Sequence, residues 1–259
     1  MALRRLREVA PGVLLATSRH YATTTTVLVD GAGGAVVVDP NWDVDELAAI
    51  PGDLADLGVA CVAGVATHRH YDHVLWHPDL GEVPRWATAR SVEDLAEGRE
   101  RLLAPLAEFL TPDLIDLAGR LDPLGSDRLP WSGPSTLVVE HDAHAPGHLA
   151  LLIEGSGVLV AGDMLSDVEL PMPDPDDDSL DTYAAGLEAL RPAVRRSRLL
   201  VPGHGTPTGD PMMRLDADLA YLDDLLSGRT SRDPRIDDPE NADLHAANLR
   251  RAEVSRNGR

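Results

Sequence analysis

No lysine occurs in the 259 residues, so all 23 basic side chains are arginines, which we read as coding bias rather than mechanism. The single cysteine, Cys61, excludes an internal disulfide. Set in an apolar run, it reads as a small core residue of a protein kept in a reducing, cytoplasmic setting. Aromatics make up only 3% of the chain, so the core must be assembled mostly from Leu, Val and Ala. Positive charge is scarce too: 43 acidic residues against 23 arginines leave a formal charge of −20, which repels phosphate backbones and anionic headgroups. Nucleic-acid and membrane-surface partners are therefore disfavoured. A small-molecule substrate is expected instead, and a homodimer is compatible with this composition. No apolar run reaches the length of a membrane span. Arg4, Arg5 and Arg7 precede the apolar residues 9–16, but Pro11-Gly12 interrupts that run and no clean cleavage site follows. It reads as a first strand, not a signal peptide.

What is present is ordinary for a globular protein: 43% hydrophobic and 25% charged residues, in a chain long enough to bury a large core. Short β-rich runs at 13–17, 24–30 and 35–39, the last two joined by Gly31-Ala32-Gly33-Gly34, predict an antiparallel meander. Residues 43–57 carry Val44, Leu47, Ile50, Leu54 and Leu57 at helical spacing, with Pro51-Gly52 expected to break or kink the helix. An apolar strand follows at 61–66. From an N-cap at Ser91 to Leu121 the chain is mainly helical, divided by Pro105 and Pro112, and reads as an insertion covering part of a site. A second β-rich half includes 137–140, 149–154 and 158–161, then a helix at 179–194, a strand at 199–201 and helices at 210–226 and 241–254. Strands followed by a helix occur twice, which predicts two similar αβ halves. The expected organisation is one domain over 1–226, with the helical insertion around 91–121, and a helical extension over 227–259.

The chemistry concentrates in Ala66-Thr67-His68-Arg69-His70-Tyr71-Asp72-His73, where three histidines and a carboxylate fall within six residues directly after a strand. Imidazole and carboxylate together suit borderline divalent cations such as Zn²⁺. Three more places set a ligand-type residue beside glycine at the edge of a β-rich run: Ala145-Pro146-Gly147-His148, Ala161-Gly162-Asp163 and Pro202-Gly203-His204-Gly205. Glycine permits the tight turns such a convergence requires. His68, His70, Asp72, His73, His148, Asp163 and His204 exceed the needs of one tetrahedral ion and suit two. His144, four residues before His148, is an alternative donor; His20 and His141 read as surface or satisfied polar residues. Asp39 either supports the site or caps a turn before Pro40. Tyr71, Trp76 and His77 flank the His-rich turn and are candidates for the substrate pocket.

This ordered set resembles the metallo-β-lactamase-fold hydrolases. The Thr-His-x-His-x-Asp-His run at 67–73 is followed in order by Gly147-His148, Gly162-Asp163 and Gly203-His204, and preceded by Val38-Asp39-Pro40 in the place of that family's first motif. The resemblance covers residues 13–204. It implies an α/β protein, a four-layer αβ/βα sandwich with two mixed β-sheets flanked by helices, and a site for two divalent metal ions: zinc first, with iron or manganese as alternatives. Carried over by position, His68, His70 and His148 would hold one ion and Asp72, His73 and His204 the other. Asp163 would bridge, Asp39 would fix a ligand imidazole or the turn from behind, and Asp72 would also handle a proton. The chain departs from many relatives in carrying Val74-Leu75-Trp76-His77 where they have a glycine pair, which alters the wall beside the ligands.

Retention of both His73 and Asp163 makes the chain similar to the glyoxalase II-like, lactonase-like and thioesterase-like branches rather than the antibiotic-degrading ones. The basic C-terminal residues of true glyoxalase II are matched at most by Asn248-Leu249-Arg250-Arg251. What the resemblance implies is hydrolysis of an ester, thioester or lactone of a small metabolite by a metal-bridging hydroxide. The alternative is a mononuclear iron persulfide dioxygenase of the same fold, separable by metal content and oxygen uptake.

Overall fold

Side-chain alternation along the strands sets the layers. In β2 (Val13–Thr17), Val13 and Leu15 face the opposite way from Leu14; in β9 (His148–Ile153), Leu149, Leu151 and Ile153 face the opposite way from Ala150 and Leu152. Strands buried on both faces must be covered twice, and both sheets are. The computed structural model describes residues 5–258; Arg4 of the basic N-terminal group and Arg259 of the predicted extension lie outside them.

The first sheet runs in order β1 (Arg7–Ala10), β2, β3 (Thr24–Val29), β4 (Gly34–Val38), β5 (Ala60–Val65), β6 (Arg85–Ala87) and β7 (Asp122–Pro123). It is antiparallel as far as β4 and parallel from β4 onward. The second has the order β11 (Leu199–Val201), β10 (Val158–Val160), β9, β8 (Thr136–His141), with only the β10–β11 pair parallel. Val13, Leu15, Leu28, Val36, Val38 and Val65 of one sheet pack against Leu149, Leu151, Ile153, Val160 and Val201 of the other. On the outer face of the first sheet lie α1 (Val44–Asp56) and the helical segment containing α3 (Ala89–Leu103) and α4 (Pro112–Leu117). On that of the second lie α5 (Asp181–Arg196), α6 (Pro211–Leu226) and α7 (Ala242–Asn257), whose Tyr183, Leu187, Leu215, Tyr221 and Ala252 join one core. Helix, sheet, sheet, helix is the four-layer sandwich expected.

Two local expectations need correction. Pro51 does not break helix α1, which continues through it as one element. A mid-helix proline costs ~3 kcal/mol, whereas burying Leu47, Ile50 and Leu54, at most 3% exposed, contributes roughly 1.5–3 kcal/mol each. Packing wins. The insertion helix is capped by Thr88, whose hydroxyl accepts the Ser91 N–H at 3.1 Å, so Ser91 sits buried in the first turn rather than at the cap. Among the described residues no helix is long and apolar enough to cross a membrane.

Candidate metal centre

The loops that follow β4, β5, β10 and β11 and the turn between β8 and β9 meet at one edge of the sandwich, where the two sheets are stitched together. The Leu149 N–H donates to the Thr67 carbonyl at 2.8 Å, and the Thr24 N–H to the Gly203 carbonyl at 2.7 Å. Asp39, just past β4, is held at φ 50°, a left-handed conformation rare outside glycine. That twist turns its buried carboxylate towards the His-rich turn. Its Oδ1 accepts the Thr67 N–H and its Oδ2 the Thr67 hydroxyl, both at 2.8 Å, and Oδ2 stands 3.0 Å from His73 Nδ1. Asp39 therefore fixes both the turn and an imidazole.

One turn of helix, α2 (Tyr71–Val74), carries Asp72 and His73. The residues before it present His68 and His70, whose Nε2 and Nδ1 face each other at 2.9 Å. His144, from the β8–β9 turn, brings its Nε2 to 3.0 Å from the same His70 Nδ1, and its other nitrogen donates to the Met172 carbonyl at 2.8 Å, which leaves Nε2 as the lone-pair atom. Across from these, His204 Nε2 lies 3.1 Å from Asp72 Oδ2, and His73 Nε2 lies 3.3 Å from the same oxygen. The donors form two groups: His68, His70, His144 and Asp163, and Asp72, His73 and His204; within each, the ligand atoms lie within 4.8 Å of one another. Asp163 stands between the groups. Its Oδ2 is 3.4 Å from both His68 and His144 Nε2 and 3.3 Å from His204 Nε2, while its Oδ1 is 3.2 Å from His73 Nε2.

Glycine is required where these loops touch. A Cβ on Gly203 would fall 1.9 Å from Asp163 Oδ1, and one on Gly162, at φ 55°, 2.5 Å from the His148 ring. The sequence pairing of glycine with Asp163 and His204 reflects that crowding.

Electrostatics divides the cluster the same way. Burial pushes His68 well below its ordinary value, takes His70 down to about 3 and lowers His144, so all three imidazoles are neutral lone-pair donors at pH 7. For His73, burial is outweighed by the Asp163, Asp72 and Asp39 carboxylates, which hold it well above its usual range; for His204, Asp163 and Asp72 overcome burial and raise it to about 12. Asp72 and Asp163 are correspondingly held below the usual carboxylate range, burial being overcome by the imidazoles they face. Both His73 nitrogens and Asp163 Oδ1 are nevertheless buried without an aligned hydrogen-bond partner. Such buried orphans are rare. Of these, His73 Nε2 and Asp163 Oδ1 face each other at 3.2 Å, nitrogen and carboxylate donors of the kind that divalent cations satisfy.

Six of the seven donors named from the sequence meet here, and one does not. His148 is fully buried but points elsewhere: its Nε2 accepts the Asp163 N–H at 3.1 Å, and its ring stacks between His68 and His141, with centroids at 5.0 and 4.6 Å. His144 takes its place. Gly147, at φ 69°, turns the chain between them, so the two histidines of one short loop diverge. His148 instead braces the backbone of Asp163. His141, expected to be a surface or satisfied polar residue, is buried in that stack, where its Nδ1 accepts the Ala143 N–H at 3.3 Å. Tyr71 does line the open pocket over the cluster, a cavity of about 300 Å³, with Tyr21, Glu169 and Met172. Trp76 and His77 do not. Because α2 ends in an extended Leu75 (ψ 158°), Trp76 turns into the core against Gly64, and His77 accepts the Asp79 N–H at the start of the next turn. Tyr21, Glu169 and Met172 carried no readable motif. Glu169 stands 4.0 Å from His204 Nδ1 and is pushed up to about 7 by burial.

The fold and site together define a class: a four-layer αβ/βα sandwich with a histidine–aspartate cluster able to hold metal ions at its edge. The metallo-beta-lactamase superfamily profile matches residues 22–204, from the loop before β3 to the last histidine of the cluster, and the chain belongs to that superfamily. A metallo-beta-lactamase family protein from Thermus thermophilus shares the fold at a TM-score of 0.63 and 22% identity, over 95% of this chain and 92% of the other. A beta-lactamase domain protein from Burkholderia ambifaria does so at 0.62 and 23%, over 86% and 74%. A stereoselective inverting sec-alkylsulfatase from a Pseudomonas species aligns at 0.66 and 16%, over 87% of this chain and 42% of its own. No curated protein matches the sequence significantly.

Proposed function

We propose that the protein is a dinuclear metal-dependent hydrolase, most naturally zinc-loaded, that cleaves an ester, thioester or lactone of a small metabolite. The observation that carries this is the position of Asp163, one carboxylate within 3.4 Å of histidines from both donor groups. The residues present fit two ions. His68, His70 and His144 would hold one, Asp72, His73 and His204 the other, and Asp163 would serve both; nitrogen and carboxylate donors suit zinc. A pair of such cations supplies Lewis acidity and lowers the pKa of coordinated water towards ~7. The chain supplies the rest. Asp39 and His148 hold His73 and Asp163 in place from behind, as outer partners commonly do. Asp72 lies at the floor of the open pocket, where its carboxylate can take up a proton as the substrate is cleaved. No serine or cysteine lines that pocket, so the reading requires no covalent acyl intermediate.

The test combines metal quantification with a panel of thioester, lactone, phosphodiester and β-lactam substrates. We expect two zinc ions per chain, turnover of an acyl substrate, and loss of turnover in His68→Ala or Asp163→Ala with the fold retained by circular dichroism. About one iron per chain with oxygen uptake on a persulfide would overturn the hydrolase reading in favour of a dioxygenase.

A further inference from the structure

With aromatics so scarce, their placement is informative. Trp42 stacks on Tyr21 (centroids 5.9 Å, planes 30° apart) and meets Tyr71 edge-on at 5.5 Å. Tyr21 and Tyr71 line the pocket over Asp72, Asp163 and His204. Trp42 itself lines a second cavity of about 450 Å³, walled by Val44, Leu75, Leu106, Phe109 and Leu110, between the start of α1 and the helical insertion. That volume is within the usual range for small-molecule sites, ~300–1,000 Å³. Helix α2 joins the two spaces: Tyr71, its first residue, faces the metal pocket, and Leu75, just past its last, faces the groove. The polar side chains at the groove are paired among themselves, Arg19 with Asp43 at 2.7 Å and with Asp45 at 2.5 Å, and His20 Nδ1 with Asp43 at 2.6 Å. The groove is therefore apolar in what it offers a ligand.

Two details run against folding alone. Tyr21 is held at φ 54° and is 62% exposed, while its carbonyl accepts from His204 Nδ1 at 2.9 Å. Phe109, the only phenylalanine of the chain, is 71% exposed at the groove. Strained backbone displaying an exposed aromatic beside a reactive cluster is a recurrent signature of ligand contact.

We propose that the groove takes an uncharged, apolar acyl chain of the substrate, which leaves the metal centre across the ridge of Tyr21, Trp42 and Tyr71 and ends against Phe109. The proposal rests on the hydrolase reading and narrows its substrate class to longer-chain acyl compounds. A charged tail would meet no free counter-ion along this path. Shorter acyl groups would reach only the ridge.

Two series test it on the zinc-loaded protein. Straight-chain carboxylates of two to ten carbons are titrated against tryptophan fluorescence, to which Trp42 reports, and p-nitrophenyl esters of the same lengths are assayed for turnover. Affinity should rise up to about fourfold per added methylene until the groove is filled. Phe109→Asp should flatten that rise for the longer members and leave acetate binding and acetyl-ester turnover unchanged; Val44→Asp, at the opposite wall, should do the same. Affinity independent of length in the wild type, or an unaltered slope in both variants, would overturn the groove assignment. Length-dependent binding that Phe109→Asp flattens, with no ester turned over, would retain the groove and remove the hydrolase reading. Turnover without length dependence would do the reverse.

Discussion

Replacing His144 and His148 one at a time separates the two histidines at the β8–β9 connection, which differ in what they touch. His144 Nε2 lies among the donors of one group, 3.0 Å from His70 Nδ1. His148 Nε2 holds the Asp163 backbone N–H at 3.1 Å. Zinc at a hundred times its dissociation constant stabilises a one-site protein by about 2.7 kcal/mol. His144→Ala removes a donor of that site and should forfeit the whole increment. His148→Ala keeps every donor and loosens the support of one. Outer partners of this kind are worth 10–100-fold in metal affinity, so at the same zinc concentration about 0.4–1.4 kcal/mol of the increment should survive. The apo protein should suffer more from His148→Ala than from an exposed change: the buried Asp163 N–H loses its acceptor, about 1–3 kcal/mol, and the stack between His68 and His141 loses its middle ring. Urea unfolding with and without zinc measures both increments, and metal content after gel filtration counts the ions. We expect one ion per chain in His144→Ala and two in His148→Ala. Two ions in His144→Ala and one in His148→Ala would refute the assignment and restore the order read from the sequence.

Other expectations follow from the same contacts. Asp39→Asn suits the left-handed backbone, which asparagine tolerates, but replaces one acceptor oxygen with a donor facing Thr67 or His73; zinc affinity by competition with a chelator should fall 10–100-fold. Gly203→Ala drives a methyl into Asp163 Oδ1 and should abolish turnover with secondary structure intact by circular dichroism, whereas Gly52→Ala, with open space around it inside α1, should leave turnover unchanged and stabilise the fold by about 0.5–1 kcal/mol. Asp218, 1% exposed beside Arg235, is raised to about 6 by burial. The folded state therefore binds this proton more tightly than the unfolded one, and stability should fall as pH rises from about 4 to 6, by about 3 kcal/mol from this group. The difference in unfolding free energy between wild type and Asp218→Asn should change across that window and be flat above it.

The strands and α1 were legible because short β-rich runs bounded by turns and the helical spacing of 44–57 are local signals that tertiary packing preserves, while the four-layer arrangement came from the ordered motifs. Six of the seven donors were legible because each ends a strand beside a glycine or sits in the turn that such strands surround, the arrangement that crowding at the cluster demands. The remaining assignment was not. His144 and His148 flank the same Pro146-Gly147 turn, and contacts made across the fold, to the Met172 carbonyl and the Asp163 N–H, set which imidazole enters the cluster. Trp76 and His77 were misplaced for a similar reason: nothing local reveals that α2 stops after one turn. Tyr21, Glu169 and Met172 come from loops whose residues acquire meaning only through contacts across the fold; the left-handed Tyr21 lies in no glycine-bearing motif.

The superfamily match ends at His204, yet one wall of the metal pocket is secured by residues beyond it. Asn241 donates to the Val168 carbonyl at 2.8 Å and Asn248 to that of Pro171 at 2.6 Å, and Arg235 donates to the carbonyls of Ser166 and Glu169, both at 2.8 Å. The segment bearing Glu169 and Met172 is thus tethered like a hinged panel, its fixings outside the shared frame. Such a plan would let selectivity change independently of reactivity: substitutions among residues 235–248 could re-hang the panel and leave every metal donor untouched. For protein engineering, the practical handle on this site lies at the far end of the chain.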